Sequence, residues 1–152
     1  MAKASSLGLV QAVQETDRHQ LLRQMPTVLL VDNDPLQAFL RMSVLEGPFS
    51  DVQRVADASE ALCLVEQPQF AANLGLIISG RHIAGIGGPG FVAELGLRMP
   101  WLPVLVLDNG TDVAEDYSSE SVCFLAKPFT NGDMIAQAAK MMERTESGRS
   151  AA

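Results

Sequence analysis

Five short apolar runs in this chain of 152 residues end at residues worth inspecting for chemistry. "TVLLVD" closes on Asp32 and is followed by Asn33. "DVQRVA" closes on Ala56, before Asp57. "LGLIIS" closes on Ser79, before Gly80. "WLPVLVLD" closes on Asp108, before Asn109, and "SVCFLA" is followed by Lys127. In open α/β sheets the carboxyl ends of the strands are where ligands and reactive side chains sit. A carboxylate there is a nucleophile or a ligand for a hard cation, and a lysine is an anion contact. The third run breaks the pattern. The residue that follows it, Gly80, has no side chain to react.

The elements that must position these residues follow from pattern. The runs are rich in β-branched residues, too short for helices, and continuously apolar, which suits strands covered on both faces. Helical segments separate them. In "NDPLQAFLRMSVLEG", Asp34 caps, Pro35 takes the first helical position and Gly47 ends the helix, with Leu36, Phe39, Leu40 and Val44 forming its apolar face. In "DASEALCLVEQ", Asp57 caps and Glu60 reaches back. "GPGFVAELGLRM" has Pro89 in its first turn and Phe91, Val92 and Leu95 inward. "TNGDMIAQAAKMMER" starts with Thr130 as cap and Asp133 three residues on. Strand and helix alternate five times, which predicts an α/β fold: a doubly wound, five-stranded parallel sheet with helices on both faces.

With "VLLVDNDP", the "GIGG" turn after the third strand and "FLAKPF" at the fifth, at these spacings, the chain resembles a response-regulator receiver domain of the chemotaxis-response-regulator type. The likeness covers about residues 27–144. It implies strand order 2-1-3-4-5 and a phosphoryl-accepting aspartate at the end of strand three. It also implies two acids that help hold Mg²⁺, a hydroxyl residue after strand four, a lysine after strand five and an aromatic switch residue. Carried over position by position, Asp32 keeps the first acid. Asn33 replaces the second, Gly80 stands at the acceptor position and Asp108 at the hydroxyl position. Lys127 is kept, followed by Pro128, whose peptide bond is cis in the family. Phe124 stands at the switch position. The fold marks survive and the acceptor does not.

These residues form a degenerate phosphorylation pocket with no catalytic residue. Asp32, Asp108 and Lys127 carry a net charge of −1, and Asp32 is the one candidate metal ligand. Mg²⁺ binding is expected to be weak or absent, with no other cofactor. An ion pair of Lys127 with Asp108 or Asp32 is the expected substitute for metal and phosphate. The segment "NGTDVAEDYSSES" is about three residues short of the family's length, so the fourth helix, between strands four and five, is expected to be shortened. Ser79 is a poor substitute acceptor, because neighbouring strand residues point to opposite faces. Gly85, Gly87 and Gly90 fit a dinucleotide-type glycine pattern. They follow the third strand rather than the first, with Pro89 intruding, which disfavours that reading.

The remaining features bound the class. A net charge of −7 and a pI near 4.7 argue against nucleic acid or anionic membrane as partners. Cys63 and Cys123 sit among apolar residues and read as buried free thiols. Residues 1–25 read as an N-terminal extension with Leu9, Val13, Leu21 and Leu22 at loosely helical spacing. Residues 26–144 form the receiver-like domain and 145–152 a disordered tail. The sequence-based expectation is a cytoplasmic, non-enzymatic signalling module of a two-component system, acting by phosphorylation-independent contact with a protein partner. A second copy of the chain is also a candidate partner. The alternatives are a response regulator phosphorylated on a non-standard residue and a small-ligand binder using the emptied pocket.

Overall fold

A computed structural model of the chain describes the backbone of residues 26–80, 87–108 and 121–151, with side chains for 26–80, 89–107 and 121–144. The strands are β1 (Thr27–Val31), β2 (Val52–Val55), β3 (Leu74–Gly80), β4 (Val104–Asp108) and β5 (Val122–Ala126). All pair in parallel, in the order β2-β1-β3-β4-β5. The helices are α1 (Pro35–Leu45), α2 (Ala58–Val65), α3 (Pro68–Asn73), α4 (Gly87–Arg98) and α5 (Asn131–Ala151). This is the expected doubly wound α/β architecture. The expected fourth helix falls within residues 109–120, outside the described residues, as do residues 1–25.

The alternation of strand side chains builds two apolar layers. Leu29, Val31, Ile77, Val104 and Val106 meet Ala58, Ala61 and Val65 of α2 and Phe91, Val92 and Leu95 of α4. Val28, Leu30, Leu76, Ile78, Leu105 and Leu107 meet Ala38 and Leu45 of α1 and Met134, Ala138, Met141 and Met142 of α5. The helix starts are fixed locally. Asp34 Oδ1 accepts from the N–H groups of Leu36 and Gln37. Asp57 Oδ1 accepts from Glu60 N–H, and Glu60 returns a carboxylate oxygen to Ala56 N–H. Thr130 and Asp133 exchange side-chain bonds with each other's N–H groups at 2.9 and 3.0 Å, a closed capping box.

One glycine is needed for close approach. The β1–β3 register shifts between Thr27 and Val28, which pair with Leu74 and Leu76, leaving Gly75 as the extra residue. A Cβ there would overlap Pro26 and lie 2.9 Å from Met142 Sδ. Pro26 is thereby seated on the sheet face that carries α1 and α5.

Four local expectations change. The apolar residues Leu36, Phe39 and Leu40 of α1 face solvent, and Ala38, Leu45 and part of Met42 and Val44 face the sheet. Leu36 and Leu40 lie about half a turn around the helix from Ala38. Periodicity identified an apolar stripe but not the side from which the sheet approaches. The helix α3 lies where no element was expected. Pro68 opens it, and Phe70 and Ala71 rest on the first layer. The helix α5 continues to Ala151, across the stretch expected as a tail. Cys63 is exposed and Cys123 half-buried, both as free thiols. The exposed Cys63 lies on the outer side of α2, whose inner side is filled by Ala58, Ala61 and Val65.

Candidate functional site

The register of the sheet brings the candidate residues to one edge. Val31, Ser79, Val106 and Phe124 lie level across β1, β3, β4 and β5. The next level holds Asp32, just past β1, with Gly80, Leu107 and Leu125. Above it, Asp108 pairs with Ala126, followed by Lys127. The backbone thus gathers Asp32, Asn33, Gly80, Asp108 and Lys127 at the carboxyl ends of the strands. The side chain of Asp108, like residues Arg81 and His82, lies outside the described residues. Asn33 and Lys127 are exposed, and the Lys127–Pro128 peptide bond is cis, as the resemblance implied.

The best-defined group is Asp32. It is only 6% exposed, and every polar atom of the residue is engaged. Its N–H donates to Val55 O at 3.0 Å. Its Oδ1 accepts from Asp34 N–H at 3.0 Å, and its Oδ2 accepts from Arg41 Nη1 at 2.9 Å. Its carbonyl accepts from both Nε and Nη2 of Arg54, at 3.0 and 2.8 Å. The Arg41 side chain is itself 11% exposed, so the Asp32–Arg41 pair is largely withdrawn from water. Each contact has a local cause. The turn of the Asp34 cap returns the chain over the end of β1. Arg41, the only charged residue of α1, sits two turns into that helix, within reach of the strand end. Arg54 leaves the edge strand β2 on the same level as Leu30, one residue short of Val31.

This geometry corrects one of the two expected ion pairs, that of Lys127 with Asp32. Asp32 is held by Arg41 and not by Lys127, which among the described residues has no ion-pair partner. A pairing of Lys127 with Asp108 lies outside what the described residues address. Arg41 and Arg54 are the site residues that motif spacing missed. The signal for Arg41 was its isolation as a lone charge in an otherwise uncharged helix after an acidic strand end. Counting both arginines turns the formal charge of the group from −1 to +1.

The described residues at this edge do not fit a divalent cation. Both oxygens of the Asp32 carboxylate are already in hydrogen bonds, and a guanidinium lies against one of them. A divalent ion 4–5 Å from that guanidinium would meet a repulsion of about 7 kcal/mol at an effective dielectric near 20. Asn33 adds no charge to offset it. Among the described residues, no three His, Cys, Asp or Glu side chains are grouped to share a metal ion.

Gly80 and Ser79 point to different environments. A Cβ built on Gly80 meets nothing within 4 Å among the described residues, which leave the edge of the sheet open above it. Ser79 is fully buried, on the level of Val31, Val106 and Phe124, and its Oγ has no hydrogen-bond partner among the described residues. Its side chain belongs to the apolar layer under α2 and α4 and not to the open edge. Phe124 is half-buried against that same layer.

No protein-family model matches the sequence, and no curated protein sequence matches it. Solved structures do match the fold. The signal receiver domain of an HD domain-containing protein from Pseudomonas fluorescens Pf-5 is 22% identical, with a TM-score of 0.73 over 84% of this chain and 93% of that one. The receiver domain of the Francisella response regulator 1452 is 24% identical, with a TM-score of 0.66 over 79% and 98%. A response regulator receiver domain protein from Methanospirillum hungatei JF-1 is 15% identical, with a TM-score of 0.69 over 82% and 98%. The fold of the chain is that of receiver domains. Among the described residues, no helix is long and apolar enough to cross a membrane.

Proposed function

We propose that this protein is an atypical receiver of a two-component signalling pathway. It acts in the cytoplasm by binding a protein partner, without accepting a phosphoryl group and without catalysis. The observation that carries the reading is the closed state of Asp32. The carboxylate that would open a metal and phosphoryl site is neutralised by Arg41, and the level beside it is occupied by glycine. A receiver switches because charge arrives at the strand ends. Here a fixed positive charge is built into α1, and nothing at position 80 can form an acyl phosphate.

In this reading Asp32, Asn33, Gly80, Asp108 and Lys127 are a retained scaffold, and Arg41 with Arg54 fixes one arrangement of the loop after β1. A buried pair of this kind contributes little net stability, because desolvation offsets its attraction. Its contribution is to define a single conformation of the strand ends that a partner reads. Incubation with acetyl phosphate followed by intact mass measurement tests the chemistry. The expected result is an unchanged mass. A phosphate-sized increase that disappears on replacement of one residue would assign an acceptor and overturn the reading. The open space above Gly80 supports a second reading, a small anion held at the edge near Lys127. Amide shifts confined to Lys127 and its neighbours on addition of inorganic phosphate would favour it.

A further inference from the structure

Among the described residues, the outer side of α1 carries a continuous exposed apolar stripe. Leu36, Phe39 and Leu40 are 69%, 68% and 57% exposed. They occupy positions i, i+3 and i+4, a continuous stripe over the first two turns of the helix. Together they leave on the order of 350 Å² of apolar surface in water, within the range of the largest patch on an ordinary monomer. We propose that this stripe is the docking site of the chain's own residues 1–25, which lie along α1 as an amphipathic segment.

Three observations select this occupant. First, the segment has the matching chemistry. Leu9, Val13, Leu21 and Leu22 are at loosely helical spacing, with Asp17 and Arg18 between them. Second, the point of attachment is on the correct face. Pro26 packs over Gly75 beside Met142, in the layer that holds α1 and α5. Helix α1 runs antiparallel to β1, so its last turn is level with Pro26 and its apolar stripe lies on the order of 20 Å away. Residues 9–25 wound as a helix span about 25 Å, enough to bring Leu9 and Val13 to the stripe. Third, the patch is too small for the other simple occupant. A stable two-fold contact between copies buries about 800 Å² per partner, more than twice what this stripe offers. A single tethered helix needs no such area, because tethering acts as a millimolar effective concentration.

Docking there covers the side of α1 opposite Ala38 and leaves the Asp32–Arg41 pair beneath it. This inference does not depend on whether the site accepts phosphate.

Amide hydrogen exchange on the full chain tests it, comparing wild type with Phe39→Asp at an exposed position. Protection of residues 9–22 at least tenfold above coil rates in the wild type, lost in Phe39→Asp while β1 and β3 amides are unchanged, is the expected result. Coil-like rates in the wild type, or protection indifferent to Phe39→Asp, would overturn the proposal. A second measurement fixes the source of the cover. A full-length Gln11→Cys/Ser43→Cys variant, with Cys63→Ser and Cys123→Ala, is treated with a short bismaleimide at micromolar protein. A cross-linked monomer supports docking within one chain. Cross-linked dimers as the main product would assign the stripe to a second copy, and no cross-link of either kind would overturn the docking.

Discussion

Replacing Arg41 with alanine removes the guanidinium that covers Asp32 Oδ2 and leaves the carboxylate with a single N–H donor, from Asp34. Breaking one partner out of a buried pair costs about 3–5 kcal/mol. Asp32 keeps that backbone bond, and the Arg54 guanidinium remains at its carbonyl, so the lower end applies and the expected loss is about 3 kcal/mol. For a chain of this size, with a urea m-value of about 1.5 kcal/mol/M, the midpoint of urea unfolding should fall by about 2 M. The same variant should gain what the wild type lacks. With the guanidinium gone, the carboxylate faces an open edge, and Mg²⁺ becomes its natural counter-ion. If the variant binds Mg²⁺ with a dissociation constant of about 1 mM, 10 mM Mg²⁺ restores about 1.4 kcal/mol. That corresponds to a rise in Tm of about 4 °C. Urea unfolding by far-UV circular dichroism, with and without Mg²⁺, reads both effects. A loss below about 0.5 kcal/mol would mean that the pair is solvated and fixes nothing. An equal Mg²⁺ effect in wild type and variant would mean that Arg41 does not occupy the cation's place.

Three other substitutions probe the same framework. Gly80→Asp should fold with a midpoint within about 1 kcal/mol of wild type, because its Cβ enters open space. By intact mass it should still take no phosphate from acetyl phosphate unless Arg41→Ala and Asn33→Asp are added. Gly75→Ala should cost about 2–3 kcal/mol in urea unfolding, since its methyl would overlap Pro26 and crowd Met142. Thr130→Ala opens the capping box of α5 and should cost about 1 kcal/mol, read as a shift in thermal midpoint.

Much of the fold was legible because local signals and the long-range pattern agree. Asp34, Asp57 and Thr130 announced three helix starts, and the continuous apolar runs announced a covered parallel sheet. The inward residues Phe91, Val92 and Leu95 of α4 were readable because they recur at i, i+1 and i+4 on one side of the helix, although Leu97 of the same helix faces solvent. Helix α1 was not readable in this way. It carries apolar residues on two sides, Ala38, Met42, Val44 and Leu45 on one and Leu36, Phe39 and Leu40 on the other, and the bulk of the side chains favoured the second. The sheet selects the first, in which Ala38 permits close approach of the helix to the strands. The candidate site followed from strand ends, but its main contact did not. Arg41 is nine residues from Asp32, and only the direction of α1 after the Asp34 turn brings the two together. The expected partner, Lys127, sits at the same edge, yet the carboxylate was already claimed from the helix side. Ser79 shows the opposite case, where strand alternation alone assigned its side chain to the buried layer.

The central claim is that the strand-end site is closed by an internal cation and does not respond to metal and phosphoryl. An amide NMR titration of the wild type with Mg²⁺ and then beryllofluoride tests it most directly. The account predicts spectra unchanged at Asp32, Gly80, Asp108 and Lys127 up to 10 mM Mg²⁺, well above the sub-millimolar range in which a working site saturates, and no further change with beryllofluoride. Saturable shifts at those residues with a sub-millimolar dissociation constant for Mg²⁺, enhanced by beryllofluoride, would show that Arg41 yields the site and would contradict it.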